Sequence, residues 1–261
     1  MKQIGLVVAV LLVILGVVGV VLGRNEADRV LVSPEGNVKG AGVEALKPEP
    51  QVLEWQDKVY EFGWFEVDNI EQLELTVNFP KSRHSTEIIR TDGCSQLING
   101  GFYDKSNQPL GWIVSGGEEK SHQLKSQLLN GFVGVGGDGE MWMASEKVSD
   151  EVRLGLQSGP MLVEDGEVLP LSIANDEGRR RSVAILTTEG KLGFVTIFKQ
   201  NSLLMGPYLE QLPEIAEALA EKLGIKVWAA MNLDGGTASA FWDGKLLLEE
   251  AKEIGSYWCV K

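Results

Sequence analysis

Soft metal ligands are scarce in this 261-residue chain, which holds only two cysteines, Cys94 and Cys259, and two histidines, His84 and His122. No Cys/His zinc spacing can be assembled from them, and two cysteines are too few for a disulfide framework. Both cysteines lie in strand-like runs, where a free thiol packs as a small hydrophobe, so two buried thiols are expected rather than a pair. Both histidines lie in polar stretches and read as surface residues. Positive charge is short as well: 24 Lys plus Arg stand against 37 Asp plus Glu, a net of −13, which argues against a nucleic-acid partner. With 44% hydrophobic residues the chain does not have the composition of a disordered protein, and no fixed-period repeat marks a solenoid or propeller. A single globular unit remains.

Long hydrophobic runs are also absent but for one. Gln3 to Gly23 is 21 residues without a charge, which as a helix would reach roughly 30 Å, the thickness of a hydrocarbon core. A cleavable signal normally has a shorter apolar region ending in a small-x-small site, whereas this run ends Val20-Val21-Leu22-Gly23-Arg24, so residues 1–23 read as an uncleaved transmembrane anchor. Lys2 on one side and Arg24 and Arg29 on the other leave its orientation open on charge alone. Residues 24–51 mix charge, Pro and Gly without apolar periodicity and read as a flexible tether, leaving 52–261 as the working domain.

Within that domain Asp138-Gly139, Asp165-Gly166 and Asp243-Gly244 each lie between strand-like runs, and Glu189-Gly190 joins Arg180–Thr187 to Leu192–Lys199, giving four hairpins. Leu209, Leu212, Ala216, Leu219, Ala220 and Leu223 fall at helical spacing between Pro207 and Gly224, ahead of an apolar strand from Val227 to Leu233. The expected class is α+β: a mixed β-sheet core built largely from hairpins, with flanking helices.

Two corners share one chemistry. The buried strand ends Asn232-Leu233-Asp234-Gly235-Gly236-Thr237, and another ends Asn99-Gly100-Gly101-Phe102-Tyr103-Asp104, each bringing an amide, paired glycines and a carboxylate to a strand terminus. A third, Gln157-Ser158-Gly159-Pro160, brings an amide and a hydroxyl to a turn, although Ser158 lacks the G-x-S-x-G elbow of a serine hydrolase. Arg179-Arg180-Arg181 is the one basic cluster, and Arg181 shares a strand face with Val183 and Ile185, where it needs either an internal carboxylate or a ligand phosphate.

Taken in order, Asn99-Gly100-Gly101-Phe102, Gly111, Gln157-Ser158-Gly159-Pro160, Arg181-Ser182 and Asn232 to Gly236 resemble the phosphodiester glycosidase family of the uncovering-enzyme type, most closely its bacterial envelope branch. The likeness runs from about Gln72 to the C-terminus. It departs from the family pattern at Thr237-Ala238 and at Ser182, where the family commonly has Gly-Ser and Thr, and these changes bear on substrate identity. The resemblance implies a membrane-anchored hydrolase that cleaves sugar 1-phosphodiester bonds of envelope glycans or their precursors, with a cytoplasmic N-terminus and an extracytoplasmic domain. Asp234 and Asp104 would be its carboxylates, their separation deciding retention or inversion, and Arg181 would neutralise the phosphate. Asn99, Gln157, Ser158, Asn232 and Thr237 would hydrogen-bond substrate, and Gly100, Gly101, Gly235 and Gly236 would offer open backbone N–H groups. No cofactor is expected, though carboxylates near glycines permit an oxygen-ligated cation such as calcium. The alternative is a non-catalytic module that binds sugar phosphate or envelope polymer in the same concave pocket, and a third reading, a scaffold whose Gly-Gly corners are only turns, predicts no concave pocket joining residues 99, 157, 181 and 234.

Overall fold

Asp165 and Gly166 both adopt positive φ, 52° and 82°, the backbone that a two-residue type I′ turn requires, and they join Met161–Glu164 to Glu167–Val168. The other Asp-Gly pairs join Gly131–Val135 to Met141–Ala144 and Phe241–Trp242 to Leu247–Leu248, and Glu189-Gly190 joins Arg181–Thr187 to Leu192–Lys199, as the sequence implied. Two further hairpins were not anticipated, Ile113–Ser115 with Glu118–Ser121 and Gln51–Trp55 with Lys58–Glu66; the second pairs Gln51 with Phe62, so the domain begins inside the stretch assigned to the tether.

The structure is a computed structural model and describes residues 49–261. The membrane-anchor reading of residues 1–23 and most of the tether lie outside the described residues. Among the described residues no helix is long and apolar enough to cross a membrane. Residues 49–261 lie in one compact unit that carries its own core and cross-link, which is the basis for producing it without the anchor region.

Three sheets build the domain. The seven-stranded one runs Gln51–Trp55, Lys58–Glu66, Leu192–Lys199, Arg181–Thr187, Val227–Asn232, Met161–Glu164, Glu167–Val168. The second orders Leu247–Leu248, Phe241–Trp242, Gln96–Asn99, Ser256–Val260 and Leu73–Val77, and the third Glu118–Ser121, Ile113–Ser115, Leu154–Ser158, Gly131–Val135 and Met141–Ala144. Every ladder among the described residues is antiparallel. Among the described residues the fold is sheet-dominated, with two α-helices, Ser85–Asp92 and Leu212–Leu223.

Alternation along Arg181–Thr187 divides the core. Val183 and Ile185 meet Leu212, Ile215, Ala216 and Leu219 of the second helix, which starts with Pro213 in its first turn and stops at Gly224, a left-handed cap at φ 68°. Ala184 and Leu186 point the other way, into a cluster with Phe194, Met231, Leu156, Phe241 and Trp258 that draws on all three sheets. The helix expected from Pro207 is a short 3-10 turn, Leu209–Gln211, running into Leu212–Leu223.

Cys94 and Cys259 are disulfide-bonded across 165 residues, with Cα atoms 5.4 Å apart, which corrects the expectation of two free thiols. The cause is a ladder between distant strands: Leu97 pairs with Cys259 and Gln96 with Val260, and Ser95 N–H donates to the Val260 carbonyl at 2.8 Å, so Cys94 arrives beside its partner. Nothing in the local sequence of either cysteine announces that pairing.

Candidate functional site

The ends of strands from the three sheets meet at Asp234. Asp234 follows the strand Val227–Asn232, its N–H donates to the Gly100 carbonyl at 3.1 Å, and its own carbonyl accepts from Asn99 Nδ2 at 2.6 Å. Next to it Gly159 N–H donates to the Asn232 carbonyl at 2.9 Å, and Asn232 Nδ2 donates back to the Gly159 carbonyl at 2.8 Å. The three corners picked out in the sequence are thus one assembly.

Asp234 is half-buried, and most of the surroundings of its carboxyl are protein. Loss of water around the charged form raises it to about 7, against the smaller opposing pulls of the Gly235 N–H, 2.8 Å from Oδ1, and of the Arg181 charge. A carboxyl near 7 can hold or release a proton at neutral pH, which suits acid–base work.

Arg181 finds an internal partner. Its Nη2 donates to Asp176 Oδ1 at 3.1 Å and to the Glu177 carbonyl at 2.6 Å, and its Nε donates to the Pro207 carbonyl at 3.2 Å. Burial lowers its pKa and Asp176 offsets part of that, while its charge still reaches Asp234. Ligand phosphate is therefore not required to explain the arginine.

Other expected substrate contacts are spent inside the fold. Asn99, about 1% exposed, donates to the Gly100 and Asp234 carbonyls and accepts from Ser182 Oγ at 2.7 Å and Ala240 N–H at 3.2 Å, which uses all four of its hydrogen-bonding positions. Gln157 is likewise filled: Oε1 accepts from Trp112 and Leu124 N–H at 3.0 and 2.9 Å, and Nε2 donates to the Leu124 and Leu129 carbonyls at 2.6 and 2.7 Å. These two amides brace the corner and have nothing free for a ligand.

The four glycine N–H groups are also committed. Gly100 donates to the Ser256 carbonyl at 2.7 Å and Gly101 to Ser256 Oγ at 3.2 Å, Gly235 donates to Asp234 Oδ1, and Gly236 donates to the Arg180 carbonyl at 2.7 Å. Close packing accounts for at least two of these glycines: a Cβ on Gly100 would sit 2.3 Å from Ser256 Oγ, and one on Gly235 2.9 Å from the Arg180 carbonyl oxygen. Asp104 is exposed and holds a turn, its Oδ1 accepting from Ser106 and Gln108 N–H at 2.8 and 2.9 Å, and no hydrogen bond joins it to Asp234. Thr237 is half-buried, and its carbonyl accepts from Ala251 and Lys252. The expected concave pocket joining residues 99, 157, 181 and 234 does not match any of the described cavities of about 310 to 620 Å³, because Asn99 and Gln157 lie too deep to line one.

Two candidates keep unused capacity. Ser158 Oγ and Asn232 Oδ1 are buried on either side of the Gly159 corner with no hydrogen-bond partner among the described residues. Such atoms are costly unless something completes them, and a bound hydroxyl or an ordered water would do so. Among the described residues no three His, Cys, Asp or Glu side chains converge as metal ligands.

Comparison with known sequences decides the family. A family model described as phosphodiester glycosidase matches residues 92–260. The chain belongs to the phosphodiester glycosidase family. Uncharacterized protein YigE of Escherichia coli (strain K12) is 36% identical over 94 residues, 31% of this chain and 36% of YigE, so the chain spans about a third of that curated relative. A hypothetical protein from Synechocystis superposes with a TM-score of 0.61 at 14% identity, over 81% of this chain and 61% of that one. The catalytic domain of zebrafish N-acetylglucosamine-1-phosphodiester alpha-N-acetylglucosaminidase, auto-inhibited by its pro-peptide, superposes with a TM-score of 0.56 at 16% identity, over 81% of this chain and 87% of that one. At these identities the two structures share the fold.

Three residues of this phosphodiester glycosidase domain escaped the sequence reading. Tyr103 is half-buried, and its hydroxyl is raised first by burial and then by the charges of Asp234, Glu253 and Glu250. Arg179 lies beside Gly236, its side-chain carbons 3.8 Å from where a Cβ there would sit. Arg180 is wholly buried, donating to the Ser239 carbonyl and, at 2.6 Å, to the Glu249 carbonyl. The signal was present: Tyr103 follows the Gly100-Gly101 pair directly, and alternation puts Arg180 on the face of Ser182, opposite Arg181.

Proposed function

We propose that the protein is a hydrolase of glycosyl phosphodiesters in which Asp234 manages the proton of the attacking water. The water oxygen bonds to the anomeric carbon, the bond from that carbon to the phosphodiester oxygen breaks, and the phosphate monoester leaves with the electron pair, while the water's proton passes to Asp234. A phosphate monoester is a good leaving group once its charge is offset, and Arg179 and Arg181 beside the Gly235-Gly236 corner supply positive charge there. Asn232 and Ser158, as deeply buried as Asn99 and Gln157, support the corner from beneath and are not assigned to sugar hydroxyls. The observation that carries this reading is Asp234 itself, half-buried at the meeting of the three sheets, with a carboxyl raised to about 7 in a chain of this family.

The site is assigned to the extracytoplasmic side, with residues 1–23 as the membrane anchor, the N-terminus in the cytoplasm and envelope glycans or their precursors as substrates. The uncharged run from Gln3 to Gly23 supports the anchor.

The deciding experiment incubates residues 46–261 with a panel of sugar 1-phosphodiesters and measures released sugar, with Asp234→Asn alongside. Release by the wild type and its loss in the variant is the expected result. Binding of a sugar phosphate without turnover would instead make the protein a binding module.

A further inference from the structure

Beside Arg181, the loop from Asn201 to Tyr208 presents three consecutive aliphatic side chains, Leu203, Leu204 and Met205, at 59%, 44% and 46% exposure, with Tyr208 at 43%. Single exposed hydrophobics are ordinary, but a contiguous set marks an interaction surface. The loop is not slack. Arg180 N–H donates to the Leu204 carbonyl at 2.9 Å, Lys199 N–H to Met205 at 2.8 Å, and Arg181 Nε to Pro207 at 3.2 Å. Gly206 packs so closely on Arg179 that a Cβ would lie 2.4 Å from its carbonyl oxygen. The main chain is held while the apolar tips point outward.

A groove of about 490 Å³ adjoins the loop, lined among others by Met205, Tyr208, Lys58 and Lys199, with Asp57 as its acidic group. Lys58 Nζ lies 5.8 Å from the ring centre of half-buried Trp55. Aliphatic tips flanked by aromatic rings and by lysines are the residue set of a membrane–water interface.

We propose that the Asn201–Tyr208 loop docks on a lipid bilayer, with Leu203, Leu204 and Met205 entering the acyl boundary and Lys58 and Lys199 meeting lipid phosphates. This rests on the reading of residues 1–23 as a membrane anchor. Residues 24–48 separate that run from the described residues, and 25 residues of chain can bridge at most about 80–90 Å. Lys58 and Lys199 give the loop the positive charge that an anionic lipid surface complements, with Asp57 as the acidic group beside them. Because the loop is bonded directly to Arg180 and Arg181, docking would set the Asp234 corner at the bilayer surface. The substrate class follows: a lipid-linked glycosyl phosphodiester, its phosphate at headgroup level.

The test floats residues 46–261 with vesicles of phosphatidylcholine and phosphatidylglycerol. The wild-type domain is expected to float, and the triple variant Leu203→Ser, Leu204→Ser, Met205→Ser to partition at least about tenfold less while keeping the wild-type melting temperature. Should the triple variant fail to fold, Lys58→Glu with Lys199→Glu is read instead, and it is expected to lose flotation on the anionic vesicles. A wild-type domain that stays in solution, or variants that float as well as wild type, overturns the proposal. So does a concentration-dependent dimer abolished by the triple variant without vesicle binding, which would make the loop a self-association surface. Flotation needs no catalysis, so it stands apart from the turnover test: active enzyme that does not float removes only the docking loop, and inactive protein that floats removes only the hydrolase.

Discussion

The side-chain amide of Asn99 donates to the main-chain carbonyl of Asp234 at 2.6 Å, tying together two strand ends that lie 135 residues apart in sequence. The carboxylate's position therefore depends on a residue that touches no substrate. Asn99→Asp keeps the shape and removes both donated bonds. It is expected to lower stability by about 2–4 kcal/mol, and, in the molecules that stay folded, to lower kcat more than it raises KM. Thermal unfolding and steady-state kinetics on sugar 1-phosphodiesters check this, and a fully stable, fully active variant would refute the bracing role.

Gln157 makes the contrasting case. With its four hydrogen bonds directed to Trp112, Leu124 and Leu129, Gln157→Ala is expected to cost about 2–4 kcal/mol and to loosen the segment from Leu124 to Leu129, while KM per folded molecule stays unchanged. Amide hydrogen exchange reports the loosening. A raised KM at unchanged stability would return Gln157 to the substrate.

Asp234 gives stability a pH dependence of unusual sign. Its carboxyl in the folded protein is raised to about 7, so between about pH 4 and pH 7 the folded state holds a proton that the unfolded state has lost, and stability falls as pH rises through that window. Asp234→Asn removes the penalty. Discounting for its partial exposure, the variant should be more stable than wild type by about 1–2 kcal/mol at pH 8 and nearly equal to it at pH 4. Urea unfolding at both pH values tests the sign. In the wild type, kcat/KM should rise with pH through about 7 as Asp234 becomes the base.

Reduction of Cys94–Cys259, or replacement of both by Ala, frees a loop of 165 residues in the unfolded chain. Stability is expected to fall by about 3–5 kcal/mol, measured by denaturant unfolding with and without reductant. A loss below about 1 kcal/mol would show that the last strand is held by its ladders to Leu73–Val77 and Gln96–Asn99 alone.

Local chemistry made much of the fold legible. The Asp-Gly turns, the alternation of Val183 and Ile185, and the Leu212–Leu223 helix closed by Gly224 all follow from short-range rules, and each is present. The Cys94–Cys259 bond and the hairpin from Gln51 were not legible, the first because it depends on strands far apart in sequence and the second because its residues follow a Pro-rich stretch. At the site, sequence marked the corners correctly but not their division of labour. An Asn or Gln beside paired glycines has the same appearance whether its amide faces a ligand or a neighbouring carbonyl, and burial decides between them. All three amides went inward: Asn99 and Gln157 are fully bonded, while Asn232, equally buried, kept an oxygen unpaired among the described residues.

The committed N–H groups of Gly100, Gly101, Gly235 and Gly236 carry a consequence for how such a site can change over evolutionary time. A backbone anion cradle resists mutation, because no codon alters a peptide group. Here the peptide groups serve the architecture, and the exchangeable parts of the corner are the part-exposed side chains beside it, Tyr103 and Arg179 among them. Under the proposed hydrolase reading, single substitutions at those side chains change what the site accepts and leave the junction of the three sheets intact.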